Sequence, residues 1–100
     1  MSILDRYSTS VKDLCERHNV KKLYAFGSVL TDKFNDESDI DLIVDFEPID
    51  VEHYADNYFD LKFSLQDIFK RHIDLLEEKA LKNPFFIQAI SQQRKVVYEH

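Results

Sequence analysis

Asp39 and Asp41 stand two residues apart in the run Ser38-Asp39-Ile40-Asp41-Leu42-Ile43-Val44. On a strand, residues two apart point to the same face, so both carboxylates would project into one volume. Like charges held that close repel, and a raised pKa, a basic partner or a divalent cation relieves the repulsion. Hard oxygen donors suit Mg²⁺, which binds one or two carboxylates together with substrate phosphates. Upstream, Gly27-Ser28 contains the only glycine of the chain. At the end of an extended run, a residue without Cβ lets a phosphate approach the backbone, and the next hydroxyl and N–H groups can donate to it. A simple tight turn would ask for the same residue. Asp74, in His72-Ile73-Asp74-Leu75-Leu76, is a third candidate. A lone Asp in a short apolar run would equally cap a turn or pair with Arg71 or Lys79.

These side chains need elements to position them. Ile3, Leu4, Tyr7, Val11, Leu14, Cys15 and His18 recur at helical intervals, with Ser2 available as a cap, and predict one amphipathic helix ending near Asn19. Val20 to Phe26 is β-branched and aromatic and stops at Gly27, a strand running into a turn. Asp39 to Phe46 alternates Ile40, Leu42, Val44 and Phe46 with Asp39, Asp41, Ile43 and Asp45, a second strand with one strongly apolar face. Glu47 to Glu52 reads as a loop around Pro48, and Tyr54 to Phe69 as a long helix. Ile73 to Leu76 suits a third strand. Asn83-Pro84 opens a helix over Phe85 to Gln92, because Asn caps and Pro tolerates the first turn. Val96 to Tyr98 adds an edge strand.

Gly27-Ser28, ten intervening residues, Asp39-Ile40-Asp41 and then Asp74 on a later apolar run resemble the DNA polymerase β-like nucleotidyltransferase superfamily, specifically its minimal nucleotidyltransferase (MNT) group. The resemblance covers most of the chain, including the segment from Asn83-Pro84 to Val96-Val97-Tyr98-Glu99. It implies a single α+β domain over residues 1–100, with a mixed β-sheet of three to five strands packed with about four helices. It also implies ATP as nucleotide donor and two Mg²⁺ ions. Asp39, Asp41 and Asp74 would be the catalytic and metal-binding residues, and Gly27, Ser28 and Ser38 would bind the nucleotide. Positive charge soon after the Gly-Ser pair is thinner than in the family, because Val29-Leu30-Thr31 comes first; Lys22, Lys33 or a partner chain would have to supply it. MNT proteins of this kind resemble the antitoxin half of HEPN/MNT pairs, in which AMP is added to a tyrosine of a helical RNase toxin. The alternative is an MNT-fold binding module that neutralises or scaffolds a partner by contact. A small-molecule acceptor would need a pocket that a dimer could form, so homo- and hetero-oligomers both fit.

Composition limits the remaining classes. The net charge is −6 in 100 residues, which disfavours stable binding to bare nucleic acid. No run approaches the roughly 18 apolar residues of a membrane span, and a single cysteine, Cys15, fits a reducing, cytoplasmic setting. The four histidines lack zinc-ligand spacing and read as surface or packed residues. Asp45, Glu47, Asp50, Glu52 and Asp56 read as a solvated loop and helix start. Tyr54, Tyr58, Phe59, Phe63 and Phe69 read mostly as core with some facing outward, and Phe85 and Phe86 raise the same question.

Overall fold

The computed structural model describes residues 2–100. Two short helices, α1 (Ile3–Arg6) and α2 (Ser8–Arg17), lead into β1 (Val20–Phe26). After a 3₁₀ turn over Gly27–Leu30 and a polar loop comes β2 (Ile40–Phe46), then the long helix α3 (Val51–Phe69) and β3 (Ile73–Glu77). A second 3₁₀ turn, Glu78–Ala80, precedes α4 (Pro84–Gln92) and β4 (Lys95–Glu99). The strands form one mixed sheet in the order β3-β2-β1-β4. β1 is antiparallel to both β2 and β4, whereas β2 and β3 are parallel and joined by α3 as the crossover that a parallel pair requires. Four strands and four α-helices match the α+β architecture expected from the sequence.

Alternation along the strands divides the sheet into two faces. Leu23, Ala25, Ile40, Leu42, Val44, Ile73 and Leu75 join Val11, Leu14, Leu61, Leu65 and Phe69 of the helices in the main core. Each fully buried Val, Leu or Ile side chain there contributes about 1.5–3 kcal/mol. The opposite face is covered only in part, where Ile90 of α4 seats on Tyr24 and Ile43 in a smaller cluster. Asp41 shares this second face with Ile43 by alternation. Side-chain locks complement the packing. His18 is buried and joins Nδ1 to the Leu14 carbonyl (2.7 Å) and Nε2 to Asp60 (2.5 Å), while the Asn57 amide donates to the His18 carbonyl (2.8 Å). These bonds tie α2 to α3. The Tyr58 hydroxyl donates to the Leu75 carbonyl and ties α3 to β3. Cys15 is fully buried, and burial pushes its thiol up to about 12, which fits a packing role.

The expected single leading helix is interrupted. Tyr7 leaves helical geometry at φ −108°, ψ 17°, and its ring packs edge-on against Phe69 with centroids 5.5 Å apart. The break lets Leu4 and Val11 both enter the core, as tertiary packing overrides local periodicity. The expected loop to Glu52 is shorter, because α3 begins at Val51. Among the outward aromatics, Phe59 and Phe63 of α3 are exposed and stack on each other at 6.0 Å, while Phe69 is buried. On α4, Phe85 is 81% exposed, whereas Phe86 packs against Phe26 at 6.0 Å. No helix among the described residues is long and apolar enough to cross a membrane.

Candidate active site

Strand register creates the site. Phe26 is the cross-strand partner of Asp41, and Asp41 is the partner of Asp74 across the parallel β2/β3 pair. The end of β1, Asp41 and Asp74 therefore lie side by side across three strands. The chain must leave β1 sharply at this point, and Gly27 does so at φ +76°. A Cβ at Gly27 would meet Asp41 Oδ2 at 2.5 Å. Its missing side chain is thus required twice, by backbone conformation and by the carboxylate against its Cα. Ser28 follows in the 3₁₀ turn, half-buried; its carbonyl accepts from the Thr31 N–H and hydroxyl (both 2.9 Å), leaving the Ser28 hydroxyl directed to no partner among the described residues.

Asp39 differs from the sequence expectation in one respect. The strand starts at Ile40, so Asp39 is the last residue of the preceding loop. Its carboxylate lies 3.4 Å from Nδ1 of His72, and both side chains are more than half exposed. His72, read as a bland residue in the sequence, borders the site. Its carbonyl also accepts from the Ile40 N–H (3.2 Å) and starts the β2/β3 ladder. Neither basic neighbour suggested for Asp74 pairs with it. Arg71 donates to backbone carbonyls, and Lys79 lies 3.6 Å from Asp45. Ser38 has a local task, since its Oγ accepts from the Asn35 N–H (3.1 Å) within the loop, although its own proton remains available to donate.

Electrostatics point to a cation-seeking site. Burial first, then Asp74, then Asp39 push the Asp41 carboxyl above its ordinary range, with His72 pulling the other way. Asp41 thus feels both neighbouring carboxylates. Among the described residues, no three His, Cys, Asp or Glu side chains are drawn together tightly enough to hold a metal ion as they stand. Asp39 is turned toward His72, and with 59% of its side chain exposed no packing fixes it there. The donor set consists of hard carboxylate oxygens, and the Gly27 cradle keeps Asp41 close to where a phosphate would approach; both features fit Mg²⁺ with a nucleotide. Lys22, one suggested source of positive charge, is near Glu99 (3.9 Å) at the far end of β1, whereas Lys33 sits exposed on the loop after the 3₁₀ turn. Arg94 was not singled out in the sequence. Its guanidinium lies 3.9 Å from the Tyr24 ring centroid on the same face as Asp41, and its Nη1 is 3.1 Å from Glu78.

A depression of about 320 Å³ lies at the other end of β2, lined in part by Asp45, Tyr54, Glu77 and Lys79. Asp45, expected to be solvated, is instead largely buried, with 14% of its side chain exposed. Alternation on β2 puts it on the second face with Asp41 and Ile43, where the depression it shares with Tyr54, Glu77 and Lys79 shields it.

Comparison with known proteins agrees with this geometry. Residues 9–100 match the family "Polymerase beta, Nucleotidyltransferase". The chain is 31% identical over 87 residues to protein adenylyltransferase MntA of Thermococcus cleftensis, covering 87% of this chain and 82% of that protein. A solved structure of a "putative minimal nucleotidyltransferase" superposes with a TM-score of 0.77 at 26% identity, covering 95% of both chains. A toxin-antitoxin crystal structure with AMP-PNP gives a TM-score of 0.70 at 19% identity, over 93% of this chain and 73% of that one. The Gly27 turn abutting Asp41, the facing Asp74 and these matches lead to one assignment: the chain belongs to the polymerase β nucleotidyltransferase family, in its minimal form, and is a nucleotidyltransferase.

Proposed function

We propose that this chain transfers AMP from ATP to a hydroxyl on a protein partner, with Mg²⁺, and acts as the antitoxin of a HEPN/MNT pair. The observation that carries the reading is that Asp41 Oδ2 occupies the space a Cβ at Gly27 would need, with Asp74 as the cross-strand partner of Asp41, which puts a phosphate-approachable turn beside paired carboxylates. The named activity of the Thermococcus relative supports AMP as the transferred group. Support for the partner comes from a similar fold seen where an AMPylated HEPN toxin of Shewanella oneidensis is bound to an MNT antitoxin, at a TM-score of 0.66 and 17% identity.

In this reading, the Gly27 and Ser28 N–H groups and the Ser28 hydroxyl hold the terminal phosphates, and Ser38 adds a hydroxyl at the loop edge. Asp39, Asp41 and Asp74 would hold two Mg²⁺ ions, which when bound supply charge neutralisation at the triphosphate and ease deprotonation of the acceptor. Asp74 accepts the acceptor proton. A bond forms from the acceptor oxygen to the α-phosphorus, the bond from that phosphorus to its bridging oxygen breaks, and pyrophosphate departs. Water is excluded from the second face in part by α4, so the open approach over the carboxylates is left for the partner.

The test uses ATP labelled at the α-phosphate, the purified chain and, as acceptor, a HEPN protein from the adjacent reading frame where that frame encodes one. Label should appear on the partner only with Mg²⁺ and vanish with the Asp39→Ala/Asp41→Ala pair. A folded wild-type protein that neither binds ATP with Mg²⁺ nor labels the partner would sink the proposal. Neutralisation of the partner by the double variant would instead establish a module acting by contact.

A further inference from the structure

Among the described residues, Arg71 is the one long cation near the site whose hydrogen bonds go to the backbone. Its Nη1 donates to the carbonyls of Asn35 and Ser38, both at 2.9 Å, and its guanidinium lies 4.6 Å from the Phe34 ring centroid. Among the described residues it forms no ion pair with any carboxylate, in a chain with 19 acidic residues. The loop it holds is also braced on itself. The Ser38 N–H donates to the Asn35 carbonyl (3.1 Å), and the Glu37 N–H to Asn35 Oδ1 (2.8 Å).

The consequence concerns Asp39. The carbonyl that precedes it, from Ser38, is bound by Arg71, and the amide that follows it, of Ile40, donates to the carbonyl of His72 at 3.2 Å. Both peptides flanking Asp39 are therefore tied to the consecutive residues Arg71 and His72, which lead directly into the strand carrying Asp74. We infer that Arg71 is a positioning residue that fixes Asp39 relative to Asp74, so that the two carboxylates can act on one cation. This inference rests on the nucleotidyl-transfer reading above. Asp39 lies outside the strand and receives no positional restraint from β pairing on its own account. A planar guanidinium can lie on Phe34 while one nitrogen reaches two carbonyls; a lysine ammonium has no flat face to stack in this way.

The experiment titrates Mn²⁺, read by electron paramagnetic resonance, into wild-type protein, Arg71→Ala and Arg71→Lys, each with AMP-PNP, together with hydrogen exchange over residues 35–40. Arg71→Ala should weaken Mn²⁺ binding about 10- to 100-fold, as loss of a group that orients a metal ligand does, and should speed exchange over that segment. Arg71→Lys should recover part of the affinity. Mn²⁺ affinity in Arg71→Ala within about twofold of wild type would overturn the inference, because a clamp that matters only to the loop leaves the ligands in place. Where Arg71→Ala fails to fold, Arg71→Met, which keeps an apolar stem over Phe34 but donates no hydrogen bond, decides by the same criterion. A folded wild type that binds no Mn²⁺ with AMP-PNP would instead count against nucleotidyl transfer; unchanged exchange in Arg71→Ala would then separately overturn the tether.

Discussion

Gly27→Ala perturbs the point where fold and chemistry meet. The native φ is +76°, a left-handed conformation that costs an L-residue about 1–2 kcal/mol. The added Cβ would also begin 2.5 Å from Asp41 Oδ2. Ordinary contact requires 3.4 Å or more, so the Asp41 carboxylate, the Gly27 turn or both must move by about 1 Å in total. The conformational cost alone should lower the melting temperature by about 4–16 °C for a chain of this size. If Asp41 ligates the cation as proposed, a displacement of that order should reduce nucleotidyl transfer about 100-fold.

Thermal unfolding followed by circular dichroism measures the first effect, and transfer of α-labelled AMP at saturating ATP the second. Gly27→Asn separates the two causes. Asn tolerates the left-handed region better than Ala but carries the same Cβ, so it should recover stability without recovering activity. Unchanged melting and full transfer in Gly27→Ala would refute the reasoning, since the strain and the contact would both be absent in solution. Full transfer in Gly27→Asn alone would show that the close approach to Asp41 has no catalytic weight.

Asp41→Asn should stabilise the metal-free protein while abolishing transfer, because it removes a carboxylate whose charged form is disfavoured by burial, Asp74 and Asp39. The sign follows from linkage: a carboxyl with a raised folded-state pKa binds more protons folded than unfolded, so its contribution falls as pH rises from the ordinary carboxylate range through the folded value. Denaturant unfolding against pH should show that slope in wild type and not in Asp41→Asn. Lys70→Gly should raise stability by about 1 kcal/mol with transfer unchanged, since Lys70 ends α3 in the left-handed region at φ 57°, where glycine carries no Cβ penalty. Asn83→Ala should cost about 1 kcal/mol, because the Asn83 side chain accepts from the Phe85 and Phe86 N–H groups at 2.9 and 3.2 Å. Urea unfolding measures both changes.

Much of this architecture was legible because local chemistry and global fold agree there. Gly27 ends β1 where an isolated glycine in a glycine-poor chain is expected to mark a backbone requirement, and Asn83-Pro84 begins α4 with the cap and first-turn residue that helices prefer. Alternation from Ile40 to Phe46 located β2 and its apolar face. What escaped depends on contacts between distant segments. No local pattern says that Tyr7 will break a helix to reach Phe69, and nothing near Arg71 in sequence reveals that its partners are the carbonyls of Asn35 and Ser38. His72 escaped for the same reason: its proximity to Asp39 exists only once β2 and β3 pair in parallel. The face of Asp45 was legible, since the alternation that places Asp41 also places Asp45, but its burial beside Lys79 was not.

The division of labour across β2 explains how so small a chain carries a repelling carboxylate cluster. Leu42 and Val44 point into the main core with the α2 and α3 side chains, while Asp41 and Asp45 point to the other face, where Ile43 packs with Tyr24 and Ile90 of α4 in a smaller cluster. Cohesion is concentrated on one side of the strand and charge on the other, so neutralising Asp41 should stabilise the fold without repacking its core. Adding a divalent cation and nucleotide should do the same, which makes the two substitutions at Asp41 distinguishable. Asp41→Asn should melt higher than wild type in chelator and lose the increment that Mg²⁺ with AMP-PNP gives wild type. Asp41→Ala should lose that increment as well, but it also removes the atoms that pack beside Gly27, so it should melt below Asp41→Asn in chelator. A ligand-induced increment that survives in both variants would move the cation site away from β2 and undo the assignment of Asp41 as its ligand.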